Sequence, residues 1–467
     1  MKHHNLNSKE TLDSLLSEYK AMSQQGTVAF YEETVFLFFI NYYKKTKESD
    51  KAFEVIAHAL SQHPYSTELY LQKAVLLADN NEQELALRYL DKALLFSPSD
   101  ANIYLLKAEV NASIDRQADA FEALNIAKSL LPENHWDSVY VVEANIHESE
   151  EDYEATFDAY CRALRVNADN VIALNNISLS AGFSCNFQKS IELHKEILDE
   201  NAYSKRAWFN LGQAYQDIEA LDEALEAYDY ALVIDEKYAA AYRHCAEICI
   251  QKRHFKVAIN YYQEYLEQFP NDSYTLTQLG VCYEKTNNLR LAEAFFQSAL
   301  KLDAYNATAH FQIGGCFAKS QKWQKAIDAY ETAIALDSTR EEYVAALAEA
   351  FFNINNLDEA DKNFYKATGI APDLSEYWIR YATFLLDIGA SDRALEILDE
   401  ADIYSFGTEL QYCRVACLLE DNQRKQALTL LCQVLQEDYD QHTVLYDLLP
   451  HLQEDVEVRS LMSIYGE

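Results

Sequence analysis

The sequence predicts an all-α solenoid of about twelve stacked helical hairpins. Three observations carry this. A pattern of small and aromatic residues returns about every 34 positions, as from Trp208 to Tyr242 to Leu276. Each copy holds two apolar stripes at helical spacing, separated by a short polar turn such as Asn287-Asn288 or Asn355-Asn356. Only 10 glycines and 6 prolines occur in 467 residues, which leaves little for long linkers.

The clearest copy contains Trp208, Leu211-Gly212, Tyr215, Ala224, Tyr228 and Ala231. Downstream the pattern returns as Tyr242, Ala246, Ala258, Tyr262 and Pro270. It returns again as Leu279-Gly280, Tyr283, Ala292, Phe296 and Ala299, and further copies centre on Gly314 and Ala348. Upstream, Phe36, Tyr70, Tyr104 and Tyr140 head earlier copies. A two-residue insertion near His135-Trp136 shifts the phase, and Ala427 falls one position early in the last copy. Repeats therefore begin near residues 33, 67, 101, 137, 171, 205, 239, 273, 307, 341, 375 and 409.

The eighth place of most repeats is small, as at Ala74, Ser178, Gly212 and Ala416, and an alanine usually follows twelve residues later. Two helices approach closely only where neither carries bulk at the crossing. Aromatic residues fill the space on either side. One hairpin cannot bury its own apolar face, so stacking must complete the core.

These residues resemble the tetratricopeptide-repeat signature: an aromatic or large residue, Leu-Gly, Tyr, then Ala, Phe or Tyr, Ala and Pro. The run from Trp208 to Ala231 matches it nearly in full, and the resemblance covers roughly residues 33 to 442. Pentatricopeptide repeats, which read single-stranded RNA, need basic grooves that this sequence lacks. The resemblance implies a right-handed superhelical solenoid of about twelve helix-turn-helix repeats with terminal capping helices. The expected organisation is a capping helix in 1–32, a repeat array over 33–442 and capping helices in 443–467. Asn7 to Met22 reads as the amphipathic first cap, with Leu12, Leu15, Leu16 and Tyr19 on one face and Ser8 as a capping group.

The resemblance also implies that places two, five, six and nine of each repeat line a concave groove. In the first third those places are apolar: Leu37, Phe38, Leu71, Leu105, Leu106, Val141 and Val142. They form a candidate apolar interface, unless the chain's own first helix or neighbouring helices cover them. In the middle, place six carries Asn176, Asn210, His244, Gln278 and Gln312, with Arg206, Arg243 and Asn145 nearby. Carboxamides donate and accept, so such a ladder suits an extended peptide backbone. Its alternative is bonding to itself or to water. A carboxylate clamp of the family's kind would match Asn145, Asn176 and Arg206, but Val141 and Asn210 stand where its other cations belong. Lys205, Arg206, Arg243, His244, Lys252, Arg253, His254 and Lys256 form a local basic cluster that would steer an acidic segment.

No catalytic constellation emerges: no nucleophile elbow, no phosphate-cradling glycine loop, no HExxH. No cofactor or metal is expected. The nine cysteines include Cys245 with Cys249 and Cys413 with Cys417, four apart on helices, a spacing open to packing or to a soft metal. The formal charge of −36 repels phosphate backbones and anionic lipid, so nucleic acid and membrane are not expected partners. The opening residues lack a signal peptide's apolar core, and reduced thiols suit a cytoplasmic protein. The expected function is a non-catalytic scaffold or adaptor that binds a protein or extended peptide in the groove. The alternative is a structural assembly subunit that forms homo-oligomers through its apolar N-terminal repeats.

Overall fold

The 34-residue pattern becomes a run of paired helices in the computed structural model, which describes residues 9–24 and 29–466. For residues 9–13 and 24 the backbone alone is described. Ser8, the adjacent His3 and His4, and the Leu12 side chain therefore lie outside the described residues. No strand occurs among those that are described. The chain divides into two compact units, residues 1–244 and 245–467.

In the first unit, helix Lys9–Gln24 packs on the first hairpin through Leu16 and Tyr19. The Tyr19 ring lies 5.0 Å from that of Phe39, and its hydroxyl bonds His58 Nδ1 at 2.8 Å. Six hairpins follow. They pair Glu33–Lys45 with Ser49–Gln62, Thr67–Asp79 with Gln83–Phe96, and Ala101–Ala112 with Gln117–Leu130. Then come Trp136–Ser149 with Tyr153–Val166, Val171–Ser184 with Phe187–Glu200, and Lys205–Asp217 with Leu221–Ile234. The two extra residues before Trp136 are taken up by a 3-10 turn, Glu133–His135.

The division falls inside helix Ala239–Gln251, after His244. The second unit continues with Phe255–Gln268 and five hairpins that begin at Ser273, Ala307, Glu341, Ser375 and Thr408. It ends in the short helices Thr443–Leu448 and Val456–Tyr465. The twenty-four helices from Glu33 to Glu437 agree with the twelve pairs expected. The last pair opens one residue early because helix Ser391–Ala401 stops after 11 residues, where the other second helices run for 14.

Three local devices recur in the hairpins. First, the residue that ends each first helix's turn sits in the left-handed region, as at Asn287 (φ 62°) and Asn355 (φ 61°). The following N–H then donates five residues back, as Asn288 to the Tyr283 carbonyl at 2.8 Å, which satisfies an otherwise orphaned helix end. Second, a side chain near the start of many first helices donates to the loop six residues before it. Tyr70 donates to the Pro64 carbonyl, Trp208 to Ala202 and Trp378 to Pro372. Third, a glycine at place eight lets a ring press against the helix. A Cβ at Gly212 would lie 2.7 Å from the Tyr228 ring, and one at Gly280 would lie 2.5 Å from Phe296.

Candidate functional site

Hairpin 171–200 departs from this pattern. Place twenty, where Ala224, Ala258 and Ala292 are buried in other hairpins, carries Ser190. Place twenty-four, occupied by Tyr228, Phe296 or Tyr330 elsewhere, carries His194, and place eight carries Ser178. Ser190 and His194 are buried. His194 Nδ1 donates to the Ser190 carbonyl at 2.7 Å, which fixes the tautomer with Nε2 as an acceptor. His194 Nε2 and Ser178 Oγ are buried and have no hydrogen-bond partner among the described residues. Burial pushes the His194 pKa down to about 4.

With a polar interior, the two helices of this hairpin pack on each other less closely than those of the other five hairpins in the first unit. Helix Val171–Ser184 leans instead on the preceding Tyr153–Val166. Its outer face then lines, with Lys205–Asp217 and residues up to His244, a pocket of about 610 Å³. Leu174, Leu179, Phe183, Phe209 and Tyr238 supply apolar walls, and Asn175, Arg206, Gln213, Gln216, Asp217 and His244 supply polar groups. Burial raises the Asp217 carboxyl above its usual range, opposed by the nearby His244. The lining thus mixes apolar surface with groups able to donate and accept hydrogen bonds.

The ladder residues occupy unlike positions. Asn210 is 4% exposed, and its Nδ2 donates to the Leu174 carbonyl at 2.7 Å, tying one hairpin to the previous one. Asn176 is exposed and donates to its own helix at the Ile172 carbonyl, 3.1 Å away. Asn145 accepts from the Tyr160 hydroxyl at 3.3 Å and bonds the half-buried Glu109, whose carboxyl burial raises. Arg206 Nε donates to Asn175 Oδ1 at 3.3 Å. His244 Nδ1 lies 3.2 Å from Gln216 Oε1, and its ring stacks on Tyr228 at 5.1 Å. Arg243 is half-buried. The pocket thus brings Arg206, Asn210 and His244 together, while Asn145, Asn176 and Arg243 are not among its lining residues. Gln278 and Gln312 are half-buried in the second unit.

In the apolar strip, Leu105, Val141 and Val142 are buried, and Leu37, Phe38, Leu71 and Leu106 are half-buried. Neighbouring helices cover the buried three. The first helix reaches its hairpin through rings such as Phe36 and Phe39.

Residue-type reasoning missed Asn175, Leu179, Phe183, Gln213, Gln216 and the buried Ser190–His194 pair. A histidine at place twenty-four was the available signal. Among the described residues no group of three or more His, Cys, Asp or Glu could hold a metal ion. Cys245, Cys249, Cys413 and Cys417 are all buried. Hydrogen bonding with Cys417, then burial, raises the Cys413 thiol, and burial pushes Cys282 and Cys316 up to about 12. No described helix is long and apolar enough to cross a membrane.

The hairpin run with a mixed pocket on its first-helix face defines a helical-repeat protein. Tetratricopeptide-repeat models match residues 185–240, 250–307, 296–341 and 342–374. The chain belongs to the tetratricopeptide-repeat family. It is 26% identical over 147 residues to Gabija protein GajB of Bacillus cereus (strain HuB5-5), a match covering 30% of this chain and 21% of that one. The chain thus spans about a fifth of that relative's length. It is 30% identical over 124 residues to the uncharacterized protein ycf37 of Guillardia theta, covering 26% of this chain and 69% of the relative. Among solved structures, YrrB, described as a TPR protein with an unusual peptide-binding site, is 22% identical with a TM-score of 0.34. That match covers 39% of this chain and 95% of YrrB. The APC/C hetero-tetramer Cut9-Hcn1 gives 13% identity and a TM-score of 0.42, covering 92% of this chain and 99% of that one.

Proposed function

We propose that this protein is a non-catalytic scaffold that binds a peptide or protein segment on the first-helix face of hairpins 171–200 and 205–234. The observation that carries this reading is the pocket of about 610 Å³, where apolar walls meet unlike polar groups. Backbone amides of a bound segment would pair with Asn175 and Gln213, while one apolar side chain enters between Leu179 and Phe209. Arg206 takes an acidic group of the segment, and His244 closes one end. Recognition without bond making needs no activated nucleophile, and the buried thiols with raised pKa values suit that role.

The test is a pull-down from source-cell extract with mass spectrometry, using the wild type beside an Asn175→Ala, Gln213→Ala double variant. Both side chains lie in the pocket wall, so circular dichroism should be unchanged. A partner retained by the wild type and lost from the folded variant supports this site. Equal retention by both sinks it. The assembly alternative is separated by light scattering over a concentration series, since it alone requires mass to rise through residues 33 to 142.

A further inference from the structure

Exposed apolar side chains are distributed unevenly over the first helices of the hairpins. Helix Val171–Ser184 exposes four large ones: Val171 at 49%, Ile172 at 53%, Leu179 at 58% and Phe183 at 60%. In the other first helices, Tyr274 is the one large apolar side chain so exposed among the described residues. The same helix turns Ser178 and Ser180 inward, so its amphipathic sense is partly reversed. A bare ridge of this kind is stable in water only at a cost, which a covering partner removes.

Charge around the ridge says what covers it. Phe183 stacks on Tyr153 at 4.6 Å, beside the turn that carries Glu148, Glu150, Glu151, Asp152 and Glu154. On the other side, Asp217 lines the pocket that Leu179 and Phe183 also line, and Glu219, Asp222 and Glu223 follow it. Neither stretch, 147–154 nor 217–223, contains a lysine or arginine. Glu148, Glu151, Glu154, Glu219 and Glu223 are exposed and make no ion pair among the described residues. Arg206 stands toward the opposite end of the helix, where it bonds Asn175.

We infer that the Val171–Ser184 ridge docks an amphipathic partner segment whose apolar stripe covers Ile172, Leu179 and Phe183 and whose Lys or Arg residues meet the two acidic turns. This rests on the scaffold reading and adds the partner's chemistry and direction: the basic end lies over Phe183. Apolar contact supplies the affinity, and the flanking carboxylates select the sign of charge and speed encounter.

Fluorescence anisotropy with two synthetic amphipathic helices, one of Leu and Lys and one of Leu and Glu, tests it on the full chain. The Leu/Lys helix should bind, and more weakly at high salt. A Leu179→Ser, Phe183→Ser variant should lose at least about tenfold in affinity, and Glu151→Gln with Glu219→Gln several-fold. Both variants alter exposed side chains, so a wild-type circular dichroism spectrum is required of each. If the Leu/Glu helix binds instead and depends on Phe183, the basic-partner inference falls and the scaffold reading stands. If neither helix depends on Phe183, the ridge is no docking site. If wild-type mass rises with concentration and Phe183→Ser abolishes the rise, a second copy covers the ridge and the inference is overturned.

Discussion

Hairpins 205–234 and 171–200 are neighbours with the same backbone plan and opposite interiors. In the first, Gly212 lets the Tyr228 ring press on the helix, and Ala224 is buried beside it. In the second, Ser178, Ser190 and His194 take the equivalent places, and two buried polar atoms have no hydrogen-bond partner among the described residues. The first hairpin is closely packed, and its first helix keeps its large apolar groups at least half-buried. The second packs loosely on itself and shows apolar groups to solvent. The difference teaches that one repeat plan tolerates a polar interior at the expense of close packing within the hairpin.

The largest expected effect tests the tight member. Tyr228→Ala should destabilise the chain by about 3–5 kcal/mol, because a fully buried ring leaves a cavity against Gly212. Urea unfolding measures it, and a cost below about 1 kcal/mol would mean the two hairpins are equally loose.

Acid tests the loose member. The unfolded chain takes up a proton on His194 near pH 6.5, whereas burial holds the folded histidine neutral down to about 4. The unfolded state thus binds more protons in that window, so stability is full above pH 6.5 and falls as pH drops toward 4. The loss is about 3 kcal/mol. Stability curves of wild type and His194→Leu should converge on different acid limbs, and identical limbs would show that His194 titrates normally.

Converting the loose interior should close the gap. Ser178→Ala with His194→Leu recreates the Ala74–Leu90 and Ala108–Leu124 pairing of other hairpins. Removing two unpartnered polar atoms should stabilise the chain by about 2 kcal/mol. Hydrogen exchange in 171–200 should slow, and unchanged exchange would place the looseness elsewhere.

The smallest effect is chemical. Cys185, at the turn of the loose hairpin, is exposed, and Cys432 is half-buried. The other seven cysteines are buried. A thiol reagent on native protein should modify Cys185 first with no change in stability. Early modification of Cys161 would mean that the hairpin before it opens as well.

The fold was legible because each repeat restates the same contacts. Small residues at place eight and alanine at place twenty are favoured by helix approach, so most copies keep them. The pocket was less legible. Place six was expected to present a carboxamide ladder, but a groove position in sequence does not fix where a side chain bonds. Asn210 spends its donor on the Leu174 carbonyl, a choice set by how closely two hairpins lean. The exposure of Leu179 and Phe183 also depends on that lean, which follows from Ser190 and His194 on the partner helix. Two residues at non-groove places thus shaped the groove.

The turns hold a separate consequence. Eleven non-glycine residues among those described take positive φ, including Lys47, Glu151, Glu219, Arg253 and Gln321. A side chain in that region costs about 1–2 kcal/mol, while glycine there gives back about 0.4–1 kcal/mol through a freer unfolded chain. The asparagines at 81, 287, 355 and 422 already soften the cost, so the charged and longer residues hold the margin. Because hairpins interact chiefly with their neighbours, gains at distant turns should add. Heat tolerance in this chain can therefore be set turn by turn, at positions such as Lys47 and Gln321 that lie away from the two acidic turns of the proposed docking ridge.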